Sequence, residues 1–134
     1  MKEFIQNEIV NEIKNQDIGP YFGIQCDEVR DSSNWEQLGL VVRYLKHFTP
    51  VERLLEFVPG TQTTGEALCE NIIGTLAKAS LDISFCRSQT MDGAGNMAGT
   101  HVGCAALISK TSPKALYHYC SSHDLNLALA KAVK

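Results

Sequence analysis

Cys86-Arg87-Ser88-Gln89-Thr90-Met91-Asp92-Gly93-Ala94-Gly95-Asn96-Met97-Ala98-Gly99 is a strand-like run that rises into an acidic residue and then breaks up in glycine. Three glycines follow Asp92 within seven positions, and a helical pattern resumes from Thr100. Glycine lets the backbone take positive φ and approach a ligand or a neighbouring strand, so the Asp92 carboxylate is expected at a strand end with little side-chain cover. A lone carboxylate does little chemistry. Its obvious partner is Asp27, which closes the apolar run Tyr21-Phe22-Gly23-Ile24-Gln25-Cys26. The two acids are expected to meet at neighbouring strand ends.

Working outward, Ile5, Ile9 and Ile13, widened by Val10, predict an amphipathic helix over residues 3–15. Asp17-Ile18-Gly19-Pro20 stops it, and Tyr21 to Cys26 is the first strand. Turn formers follow Asp27, and then Leu38, Leu40, Val42 and Tyr44 share one face of a second strand. Phe48-Thr49-Pro50 turns the chain into a third strand, Val51 to Val58, with Val51, Leu55 and Phe57 on one parity. Thr63 and Glu66 are spaced as a capping box for a helix whose core stripe is Leu68, Ile72 and Leu76, with Gly74 weakening its interior. The fourth strand is expected over Leu81 to Thr90, a helix from about Thr100 to Ser109, a fifth strand over Ala115 to Cys120, and a helical tail through Leu125, Leu129 and Ala132.

At 134 residues this is one domain, and 12 Lys and Arg against 15 Asp and Glu leave a formal charge of -3. No field that draws a protein to nucleic acid results, so strong unaided DNA binding is not expected. No apolar run approaches the roughly 20 residues that span a bilayer, and Met1 to Glu8 lacks the apolar core of a signal peptide, which argues against membrane insertion and secretion. Five cysteines, an odd count at irregular spacing, fit free thiols in a reducing compartment.

Three strands, then helix, strand, helix, strand and helix, with acids at the ends of the first and fourth strands, is a ribonuclease-H-like α/β pattern. It predicts a mixed five-stranded sheet ordered 3-2-1-4-5 with strand 2 antiparallel and flanking helices. Such sites hold two divalent ions roughly 3.5–4 Å apart between carboxylates. Hard ions such as Mg²⁺ want oxygen ligands, which Asp27 and Asp92 supply.

Tyr21 to Asp31, Asn34-Trp35-Glu36-Gln37-Leu38, Gly65-Glu66-Ala67-Leu68, the Cys86 to Gly99 stretch and Cys120-Ser121-Ser122-His123-Asp124-Leu125-Asn126-Leu127 together resemble the catalytic domain of hAT-superfamily transposases. The likeness is to domesticated, zinc-finger MYM-type-like proteins and to relatives labelled repressors of the inhibitor of the protein kinase. It implies that Asp27 and Asp92 are the first and second catalytic acids and metal ligands, for Mg²⁺ or Mn²⁺ ancestrally, and that Cys120 and His123 are the Cys-x-x-His motif beside the site. It also implies an upstream zinc finger, and a downstream insertion domain, third acid (a Glu) and dimerisation region. None of these has a counterpart here, so residues 1–20 are expected to be a helix and linker and 21–134 a domain truncated before its last catalytic helix. The nucleus is the implied location, with the cytoplasm as the alternative. Asp124 departs from the family by placing a negative charge near a phosphate path.

Plainer readings stand beside these. The two Asp are common turn acids, and Cys120 with His123 is half a zinc site without a second pair. As a Cys-His nucleophile that pair lacks an oxyanion hole and an orienting acid. His47 reads as loop, His101 as a capping or solvent-facing residue, His118 as strand surface and Trp35 as packing. Gly93-Ala94-Gly95 lacks the spacing and lysine of a phosphate loop. The function expected is a transposon-derived domain fragment, ancestrally a DNA strand transferase, that is not an active nuclease. One alternative is an interaction module for protein partners or related transposase chains; the other is a metal-dependent nuclease completed by an acid from another chain.

Overall fold

The computed structural model describes residues 1–30, 36–59 and 64–132. Trp35 and Thr63 lie outside them. In chain order the elements are α1 (Lys2–Lys14), β1 (Phe22–Arg30), β2 (Glu36–Lys46), β3 (Thr49–Pro59), α2 (Gly65–Lys78), β4 (Cys86–Met91), α3 (Gly95–Ala98), α4 (Cys104–Thr111), β5 (Leu116–Tyr119) and α5 (Ser121–Ala132). The strands form one mixed sheet in the order β3-β2-β1-β4-β5. β2 runs antiparallel to β1 and β3, while β4 runs parallel to β1 and β5. This is the expected α/β architecture.

The alternation of β2 decides which side of the sheet is the core. Leu38, Leu40, Val42 and Tyr44 are all buried, and the pairings Ile24↔Val42 and Cys26↔Leu40 put Ile24 and Cys26 on the same side. α1 lays Ile9, Val10 and Ile13 there, α2 adds Leu68, Cys69, Ile72 and Leu76, and α4 adds Cys104, Ala105 and Ile108. Ile9, Ile13, Ile72 and Leu76 are 0% exposed; removing such a side chain from water contributes about 1.5–3 kcal/mol. α1 is also tethered by polar contacts. Glu12 accepts from the Tyr44 hydroxyl and the Lys46 ammonium, Gln16 Oε1 accepts the Leu45 N–H at 2.8 Å, and Gln6 Nε2 donates to the Leu55 carbonyl at 2.9 Å.

The opposite side of β1, β2 and β3 is mixed: Leu54 and Phe57, paired with Val41 and Gly39, are 44% and 48% exposed there beside polar groups. Glu52 Oε1 accepts from Gln25 Nε2 at 2.8 Å and from Arg43 at 2.9 Å, and the exposed Asp27 shares this side with Gln25 by strand alternation.

Several expected boundaries shift. β1 runs on past Asp27, because β2 continues to pair with it up to Arg30↔Glu36. The β2–β3 turn is His47-Phe48; of the expected turn Phe48-Thr49-Pro50, Thr49 and Pro50 are already paired with β2. Phe57 is not core. Leu40 pairs with Glu56 and Val41 with Leu54, so Leu55 is a bulge that inverts the parity of β3, leaving Phe57 48% exposed and burying Val58. Thr64 caps α2 by accepting the Ala67 N–H at 3.3 Å, which moves Glu66 to the second helical position, away from the third that a capping box requires. A 3-10 turn over Ile83–Phe85 delays β4 to Cys86, and α4 starts at Cys104, so Val102 is exposed. Among the described residues no helix is long and apolar enough to cross a membrane.

Candidate functional site

The parallel register of β1 and β4 directs Asp27 and Asp92 toward one end of the sheet. Gly23 pairs with Ser88, Ile24 with Gln89 and Gln25 with Thr90, in parallel. Carried two residues on, past the end of β4 at Met91, this register would align Asp27 with Asp92 on the same side of the sheet. Asp27 is held within β1 opposite Gly39 of β2, a partner with no side chain to cover it. Asp92 follows the last residue of β4 and is half-buried. Its Oδ1 accepts the Ala94 N–H at 3.0 Å, a local turn that orients the carboxylate and leaves Oδ2 for a ligand.

β5 builds the wall beside Asp92. The Cys120 N–H donates to the Met91 carbonyl at 3.0 Å, and the Tyr117 hydroxyl donates to the Asp92 carbonyl at 3.4 Å. Tyr119 closes over Gly93, where a Cβ would lie 2.6 Å from the ring, so a larger residue there would push the tyrosine aside. The exposed His123 stands edge-on to Tyr119 with ring centroids 6.1 Å apart. The Cys-x-x-His motif therefore sits next to the Asp92 strand end.

Residues 1–103 match the family described as ZMYM1/FAM200, RNase-like domain. The chain belongs to this family. It is also similar to the mouse "52 kDa repressor of the inhibitor of the protein kinase", 28% identical over 131 residues, and to the human protein of that name, 27% identical over 131 residues. Each match covers 96% of this chain and 17% of the relative, so the chain spans a small part of those proteins.

In this RNase-like domain the donor chemistry at Asp27 and Asp92 is two hard carboxylates. Among the described residues no three His, Cys, Asp or Glu side chains are grouped to hold a metal ion. Two carboxylates fit Mg²⁺ or Mn²⁺ as an open site, since Mg²⁺ commonly takes one or two carboxylates and completes its shell with water and phosphate oxygens. Burial pushes the Cys86 thiol up to about 11 and raises that of Cys26, so neither is a rival ligand or nucleophile beside the acids.

Sequence reading missed Gln89, Tyr117 and Tyr119. Gln89 is fully buried, and its Nε2 donates to the Ala105 and Ala115 carbonyls and to Ser109 Oγ at 2.8–3.1 Å, tying β4 to α4 and to the start of β5. It is part of what holds the Asp92 strand in place. The available signal was a polar residue on the apolar parity of a buried strand.

Proposed function

We propose that this RNase-like domain descends from an hAT-superfamily transposase, that Asp27 and Asp92 are its divalent-cation ligands, and that it binds Mg²⁺ or Mn²⁺ weakly without cleaving or joining DNA. The observation that supports this is the parallel β1–β4 register, whose last pair, Gln25↔Thr90, lies two residues before each acid. Strand hydrogen bonds fix the Asp27 backbone, and the Ala94 N–H and Tyr117 hydroxyl fix Asp92. A bound cation would supply charge neutralisation and an acidified water at that point.

Cys120 and His123 act as positioning residues, through the backbone bond to Met91 and the ring contact with Tyr119. Catalysis by in-line displacement needs ions held closely, and a misplacement of about 1 Å costs on the order of a hundredfold. With two described carboxylates the site lacks that rigidity. A net charge of -3, with Asp124 in the first turn of α5, also disfavours DNA capture. The relatives' name describes a repressor, and a nuclear, protein-binding role is the corresponding proposal for this chain.

The test is incubation of purified protein with supercoiled plasmid and Mn²⁺ beside an Asp92→Ala sample. No nicking above that sample is expected. Nicking by the parent and not by Asp92→Ala would overturn the inactive reading and reveal a third ligand.

A further inference from the structure

The core holds a pair of thiols that the cation site does not use. Cys69 of α2 and Cys104, the first residue of α4, are 6% and 0% exposed. The two helices touch at their starts: a Cβ on Gly65 would lie 2.9 Å from the Cys104 nitrogen and would also collide with the Val102 carbonyl. Cys69 is four residues on from Gly65, one turn along the same face of α2, so it looks toward the start of α4. There the two side chains hydrogen-bond, the Cys104 thiol donating to the Cys69 sulfur.

The pair is asymmetric. Cys69 lines a groove of about 620 Å³ between α2 and α4, together with Glu66, Glu70 and Lys110, and the groove is wide enough to admit a small solute. Cys104 is wholly out of solvent. The bond from Cys104 holds the Cys69 thiol below its ordinary value, against the opposing effects of burial and Glu70; the same bond, with burial, raises Cys104. The thiolate is the nucleophile in cysteine oxidation, and a reachable thiol of lowered pKa with a second thiol in contact supplies both an attacking and a resolving group.

We propose that Cys69 and Cys104 form a reversible disulfide on exposure to a hydroperoxide, with Cys69 attacking and Cys104 resolving. The Cys69 sulfur attacks one peroxide oxygen, the O–O bond breaks, and the departing hydroxide takes the thiol proton and leaves as water, so that Cys69 becomes a sulfenic acid. Cys104 then attacks the Cys69 sulfur, the S–O bond breaks, and that hydroxide leaves as water with the Cys104 proton. Two thiols and one hydrogen peroxide become one disulfide and two waters, the sulfurs giving up the two electrons that the peroxide takes. The sulfurs begin in hydrogen-bond contact and close to about 2.05 Å. The bridge fastens α2 to α4 and closes a loop of chain that carries β4 and the Asp92 turn. It is independent of cation binding at Asp27 and Asp92.

Peptide mapping tests it. Folded, reduced protein is treated with hydrogen peroxide, alkylated under denaturing conditions and cut with trypsin, which places the five cysteines on separate peptides. Peptide 54–78, with Cys69, is expected to be joined to peptide 88–110, with Cys104, and dithiothreitol is expected to release them. In Cys104→Ala, dimedone is expected to label Cys69 as the trapped sulfenic acid. In Cys69→Ala, Cys104 is expected to remain a thiol that alkylates. The mapping of the parent needs no substitution, so it decides the matter even where a variant fails to fold. Cys69 and Cys104 both alkylated in the peroxide-treated parent, Cys69 joined to any other peptide, or dimedone on Cys104 in folded Cys69→Ala would overturn the proposal.

Discussion

His47 and Phe48 turn β2 into β3 with both residues at positive φ, 49° and 60°. For a residue with a Cβ that conformation costs roughly 1–2 kcal/mol, and the turn residues that avoid the cost are Asn and Gly. Phe48 is 70% exposed, so its ring contributes little packing. Phe48→Gly is therefore expected to stabilise the domain by about 1 kcal/mol, read as a higher urea midpoint at unchanged slope. At this scale the place of Asp92 just past a strand end was legible from the glycines that follow it, whereas Asp27, expected to close its strand, lies within β1 because β2 goes on pairing beyond it. Phe48 was legible as turn, whereas Thr49 and Pro50 read as turn because Thr-Pro is a turn signal, and strand pairing pulls both into β3. Gln89 was invisible as a cross-link because its partners, at Ala105, Ser109 and Ala115, come from distant stretches of chain.

α1 shows how an element is fastened by more than its apolar stripe. Its Glu12 accepts from Lys46 and Tyr44 of β2; the Lys46 bond first and the Tyr44 bond second hold its carboxyl below the ordinary value of 4.5. A folded-state value lower than the unfolded one means stability that is present above the unfolded value and lost as pH falls through the folded one. Glu12→Gln should cost about 1 kcal/mol at neutral pH, and the gap between variant and parent should narrow as the solution is acidified below about pH 4. Thermal melts at a series of pH values check this, and a gap that stays constant into acid would contradict it. Of the elements, β2 and α2 were plain from periodicity alone. The bulge at Leu55 was not, because inserting one residue preserves a credible alternation while inverting which side is buried. α4 began later than expected because Thr100 to Gly103 close a turn ahead of it.

For the whole molecule, element order was enough to give the sheet order, since short turns make a meander and right-handed crossovers return β4 and β5 beside β1. The proposed pairing of Asp27 with Asp92 rests on that order and on the Phe22/Gly23 register shift against β4, which no sequence pattern announced. The central claim is that these two carboxylates form one cation site. Its most direct measurement is the melting temperature during Mn²⁺ titration, for the parent and for Asp27→Asn with Asp92→Asn. With Mn²⁺ at ten times the dissociation constant, binding to the folded state adds about 1.4 kcal/mol, a rise of roughly 3–5 °C for a domain of this size. The account predicts that rise in the parent and its loss in the double variant; a parent that does not shift, or a double variant that shifts as far, would contradict it.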